Sequence, residues 1–161
     1  MTLGKLVSLI AVLALIAAGP KVPSNFTIQT IAQIGGAREL VALPDGDILV
    51  GTSGSQVYIV PDAESSTPGT PAVFATLNDT YASGVAFSAK HKEIYIATNA
   101  GIWETKYVAG RRRAVGVHRI AQVRTGPISP HSDGDVHKTT SVAYSDTADI
   151  LYISVGSSCN A

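Results

Sequence analysis

The sequence predicts an all-β chain built as a β-propeller, with about two to three blades present. Three observations carry this reading. After residue 20 no long stretch holds helical periodicity. Short runs of Val, Ile, Leu, Tyr and Thr alternate with Gly, Pro, Asp and Ser, the pattern of strands and turns. One strand–turn–strand unit then occurs three times along the chain.

Residues 1–19 stand apart from the fold and read as a signal peptide. Lys5 supplies a positive start, Leu6 to Ala18 is an unbroken run of apolar and small residues, and Pro20 closes it. The run is short for a membrane span and suits a cleavable leader; an uncleaved N-terminal anchor is the alternative. Either way the rest of the chain is expected outside the cytosol, secreted or periplasmic, with no membrane contact after cleavage.

Residues 25–161 are then expected to form a partial propeller domain. The first repeat, near 37–60, pairs Arg38–Leu43 with Asp47–Gly51 across a Pro44-Asp45-Gly46 turn and continues into Gln56–Val60. The second, near 83–107, pairs Ser83–Ser88 with Glu93–Ala97 and continues into Gly101–Thr105; a further strand-like run covers Val117–Val123. The third, near 137–161, pairs Thr140–Ser145 with Asp149–Ser154. Ala42, Ala86 and Ala143 occupy equivalent places, 44 and 57 residues apart, against roughly 40–50 residues for a blade. Lys106–Arg113 and Thr125–Asp135 are the candidate insertions in the longer interval. A β-sandwich also has short strands and frequent turns, but it does not account for the repeat. Closure normally takes at least about four blades, so the chain is expected to be part of a larger propeller.

Composition narrows the function classes. The chain is 45% hydrophobic and 15% charged with a formal net charge of zero, which gives no electrostatic case for a nucleic-acid partner. The single cysteine, Cys159, is odd for an exported chain and suggests a free thiol, an intermolecular bridge, or a disulfide to a residue beyond Ala161. Asn25-Phe26-Thr27 and Asn78-Asp79-Thr80 are glycosylation sequons. His131, Asp133, Asp135 and His137 alternate within seven residues. A Ser-Asp-Gly turn gives the same composition, and zinc favours longer or helical spacing, so no metal is assigned to them. Arg111-Arg112-Arg113 reads as a solvated loop tip, and His91 as an exposed turn residue. Trp103, Tyr95 and Tyr152 fall at alternating strand positions and read as packing residues. No phosphate loop, nucleophile elbow or paired-cysteine zinc signature is present.

The third repeat is the distinctive one. Asp135-Val136-His137-Lys138-Thr139-Thr140-Ser141-Val142-Ala143-Tyr144, followed by Ile150 through Val155 and Gly156-Ser157-Ser158-Cys159-Asn160, resembles a segment of the glucose/sorbosone dehydrogenase family of quinoproteins. There a histidine opens one strand and the next ends in a Val-Gly-Ser-Ser-type turn. Ser-Ser-Cys-Asn is closest to the sorbosone and pyranose dehydrogenase branches, and Ala37–Val60 resembles the family's first blade. The resemblance implies a six-bladed propeller that binds pyrroloquinoline quinone and Ca²⁺, passes electrons to an external acceptor and oxidises a sugar or related alcohol. It implies His137 as general base, and an imidazole suits that role near neutral pH. Family members often carry an acidic residue directly before the histidine. Here Val136 stands there and Asp135 one residue further back, which makes Asp135 the candidate orienting acid. Asp79 falls where the glucose branch has a glutamine that meets the cofactor. Thr140 and Ser141 stand where family members often have arginine. The other cofactor residues and the calcium ligands come from later blades. The alternative is a noncatalytic extracellular propeller that binds a ligand or protein.

Overall fold

The fold was established from a computed structural model, which describes residues 21–123 and 139–156. Residues 1–20, 124–138 and 157–161 lie outside the described set, and with them the leader, His131, Asp133, Asp135, His137 and Cys159. Residues up to Thr30 form a unit of their own. In it residues 21–30 are irregular, with one turn in which the Phe26 N–H donates to the Pro23 carbonyl.

The chain from Ile31 onward is all-β and, among the described residues, has no helix. Among the described residues ten strands form three antiparallel sheets. The first sheet runs β1 (Ala37–Ala42), β2 (Ile48–Thr52), β3 (Gln56–Val60) and β4 (Ala72–Thr76), in that order. The second runs β5 (Gly84–Ser88), β6 (Glu93–Ala97), β7 (Gly101–Lys106) and β8 (His118–Gln122). The third holds β9 (Thr140–Ser145) and β10 (Ile150–Val155). Each sheet is a meander, the form that short hairpin loops between sequential strands dictate.

The three hairpins predicted from the repeat are present in register: Ala42 opposite Ile48, Ser88 opposite Glu93, and Ser145 opposite Ile150. Each loop holds a left-handed residue at or next to its end, Gly46 (φ 84°), Lys92 (φ 53°) and Asp149 (φ 58°). This conformation returns the chain into an antiparallel partner. Glycine adopts it without strain; lysine and aspartate do so at a small cost.

β2 and β6 are buried on both faces, as their continuous apolar runs Ile48-Leu49-Val50 and Ile94-Tyr95-Ile96 require. One core lies between the first two sheets, where Leu49, Val57, Ile59 and Phe74 meet Val85, Ile94 and Ile96. A second joins Ala86, Tyr95, Ala97 and Ile102 to Val142, with Tyr144 and Leu151 against it. Burying each of these large side chains contributes about 1.5–3 kcal/mol.

β1 lies beside β5, and β5 beside β9. The approach is close where the sequence has glycine. A Cβ on Gly51 would sit 2.2 Å from the Ser83 carbonyl oxygen, and one on Gly84 would sit 2.6 Å from that of Thr140. Both obstacles are backbone and cannot swing aside. Gly51→Ala is therefore expected to lower stability by about 1–3 kcal/mol, read from urea unfolding. An unchanged midpoint would show that Ser83 does not press on β2.

Three sequence expectations are corrected. The first repeat extends past Val60 into β4, whose Phe74 carbonyl also accepts the Ala114 N–H. Tyr95 is buried and stacks on Tyr144, but Tyr152 on β10 is 55% exposed and packs in no core among the described residues. Arg112 does not stand free in solvent: it pairs with buried Asp47 and reaches Asp62. Nearby, the Gly110 N–H donates to Asp45, so the β7–β8 loop straps the turn end of the first sheet. His91 is an exposed turn residue as expected, with its Nε2 2.6 Å from Asp149.

Candidate functional site

The first strands of the three sheets all start at one end, and there the polar groups gather. Arg38, Glu39, Ser83, Thr139 and Ser141 line a cleft of about 290 Å³. β1 brings Arg38 and Glu39, the residue before β5 brings Ser83, and the start of β9 brings Thr139 and Ser141. Backbone and side chain tie them together. The Glu39 N–H donates to the Ser83 carbonyl (3.3 Å), and the Ser83 hydroxyl donates to the Thr140 carbonyl (3.2 Å).

Glu39 bridges all three strands, because its carboxylate also accepts N–H bonds from Val85 of β5, at 3.2 Å, and from Val142 of β9. Burial pushes its carboxyl above the ordinary range, and these two N–H groups only partly offset that. An acid raised in the folded state costs stability where it is ionised, and the cost disappears as pH falls below its unfolded value, about 4.3. Glu39→Gln keeps an acceptor and removes the charge. The variant is expected to melt above the parent near neutral pH, with the gap closing toward about pH 4. A variant that melts lower at neutral pH would mean the charge itself holds the strands.

Asp79 lies on the β4–β5 loop and its side chain is only 10% exposed. One of its oxygens, Oδ2, accepts from Thr98 Oγ1 at 2.9 Å, Trp103 Nε1 at 2.8 Å and Arg119 at 2.9 Å; Oδ1 accepts from Arg119 at 2.8 Å. The Arg119 guanidinium also lies 4.9 Å from the Trp103 ring centre, in cation–π contact. The geometry is that of an anchor fixing the β4–β5 loop to the second sheet, with three bonds on Oδ2 and one on Oδ1.

At the opposite ends of these strands the β9–β10 turn docks on the β5–β6 turn. Asp146 accepts from the Ser88 hydroxyl (2.9 Å) and from the N–H groups of Ala89 (3.2 Å) and Lys90 (3.0 Å). Asp149 pairs with Lys90 at 2.7 Å and with His91, and accepts from the Tyr144 hydroxyl. The Lys90 ammonium, then the Tyr144 hydroxyl and His91, hold the Asp149 carboxyl well below the usual carboxylate range. Every charged group in this cluster has a partner within it, which suits docking between sheets. His118, at the start of β8, is 61% exposed and stands 3.7 Å from Glu104.

His137 and Asp135 lie outside the described residues, two and four positions upstream of Thr139. Sequence reasoning did not single out Arg38, Glu39 or Ser83. The signal available for Glu39 was a lone carboxylate inside a predicted strand. Among the described residues no group of three His, Cys, Asp or Glu side chains is placed to hold a metal ion, and no helix is long and apolar enough to cross a membrane. No family model, curated protein or solved structure matches the chain.

Proposed function

We propose that the chain is the opening part of an exported β-propeller that oxidises a sugar or related alcohol, with His137 as the general base. The observation that carries this reading is the polar cleft at the common start of β1, β5 and β9, two residues downstream of His137. In a propeller the first strand of each blade lines the central channel, and ligands sit at the channel mouth. Two successive four-stranded meanders whose first strands lie side by side support that architecture.

The cleft chemistry suits a polyhydroxylated substrate. Three hydroxyls, a carboxylate and a guanidinium offer both donors and acceptors to a molecule that presents both. His137 takes the hydroxyl proton as the carbon is oxidised, and Asp135 orients its ring. Pyrroloquinoline quinone, when bound, supplies the acceptor for the hydride. Asp79, which the resemblance places at the quinone, is already held by Thr98, Trp103 and Arg119, and among the described residues no group of three His, Cys, Asp or Glu is placed to hold Ca²⁺; the resemblance assigns the other ligands to later blades. That same observation favours a second reading, a noncatalytic propeller that binds its ligand in the cleft.

The two readings separate in one experiment. The intact mature protein is titrated with pyrroloquinoline quinone and Ca²⁺, and dye reduction is followed with a panel of aldoses. Saturable quinone binding with sugar-dependent reduction is expected. A folded protein that binds no quinone would sink the enzyme and leave the binding module.

A further inference from the structure

We propose that Asn78 is an acceptor for an N-linked oligosaccharide. The inference rests on export of the chain across a membrane and not on sugar oxidation.

The sequon Asn78-Asp79-Thr80 sits in the β4–β5 loop, and the fold treats its three residues differently. Asp79 turns inward and is held by Thr98, Trp103 and Arg119. Its two neighbours are exposed, and among the described residues neither the Asn78 amide nor the Thr80 hydroxyl makes a hydrogen bond. The loop is pinned on both sides. The Leu77 N–H donates to the Ser55 carbonyl at 2.9 Å, and the Thr80 carbonyl accepts from the Asn99 N–H at 3.1 Å. An acceptor sequon needs the asparagine amide and the threonine hydroxyl presented together on accessible, non-helical backbone. Anchoring of the middle residue supplies that presentation, because the flanking side chains are left to point away from the sheet.

The donor is a lipid-pyrophosphate-linked oligosaccharide. Transfer forms a bond from the Asn78 amide nitrogen to the anomeric carbon and breaks the bond from that carbon to a phosphate oxygen. The lipid pyrophosphate leaves, one amide proton is released, and no oxidant or reductant is consumed. The product is a bulky solvated chain on an outward loop, which the packing of the sheets does not oppose.

The test is translation of the full chain with its leader in the presence of eukaryotic microsomes, followed by mass spectrometry of the lumenal protein. The peptide spanning residue 78 is expected to carry a glycan, and amidase treatment is expected to convert Asn78 to aspartate. Asn78→Gln and Thr80→Ala should abolish the modification, while Thr80→Ser keeps it. Both positions are exposed, so the parent melting temperature is expected to persist and reports that the variants fold. Lumenal protein with an unmodified residue 78 overturns the proposal. A chain that never enters the lumen overturns it as well, and that outcome is distinguishable from a failure of the dehydrogenase reading, which the quinone titration detects separately.

Discussion

Asp79→Ala is expected to destabilise the fold by about 2–4 kcal/mol, a fall in melting temperature on the order of 10 °C. The substitution deletes the acceptor of four hydrogen bonds from three side chains. Arg119 is 39% exposed and recovers part of its hydration, which keeps the loss below that of a fully buried pair. The Trp103 N–H, in contrast, is aimed at the missing carboxylate and is half-buried. Asp79→Asn separates the contributions. It keeps the shape, weakens the ion pair and turns a donor amide toward donor groups, so it is expected to recover only part of the loss. Urea unfolding of both variants checks this. A shift in either direction smaller than about 0.5 kcal/mol for Asp79→Ala would mean that the loop is held by its backbone bonds alone.

His137→Ala is expected to cut sugar-dependent turnover of the intact protein by about 10²–10⁴-fold, the size of a general-base contribution. Quinone affinity should change little, because the base acts on the substrate proton. The pH profile adds a readout that a structural role would not move: a group titrating near the histidine range should vanish from the parent's acid limb. A variant with unchanged turnover removes His137 from the mechanism whatever its effect on stability.

Much of the fold was legible in local sequence. The hairpins at Ala42/Ile48, Ser88/Glu93 and Ser145/Ile150 follow from apolar runs of five or six residues broken by turn residues, and both signals act over a few positions. β4 was not legible. Ala72-Val73-Phe74-Ala75-Thr76 follows a Ser-, Pro- and Gly-rich loop, has no counterpart in the repeat pattern as read, and becomes a strand by pairing with β3. Tyr152 shows the reverse case. Its alternation within β10 matches that of a packed residue, but packing needs a facing layer, and none covers it among the described residues.

The candidate site was legible only in part. His137 and Asp135 stand out as residue types in a distinctive segment. Glu39 gave no such signal and Asp79 stood out only through the resemblance, because what distinguishes them is who reaches them. Glu39 draws N–H groups from strands 46 and 103 residues away in the chain, and Asp79 draws donors 19, 24 and 40 residues away. Arg112 likewise looked solvated until Asp47 was found 65 residues away.

The sequence by itself determined that the chain is all-β, where its hairpins turn and which strands run apolar throughout. These depend on backbone preference and side-chain alternation, which each residue carries with it. Only the tertiary structure decided which polar groups are desolvated, which are saturated and which face solvent. Charge and hydrogen-bond energies depend on neighbours brought together by folding and on the water folding removes. The alternation of Asn78, Asp79 and Thr80 between solvent and sheet is of that kind: three polar residues in a row, separated in role by what lies behind one of them.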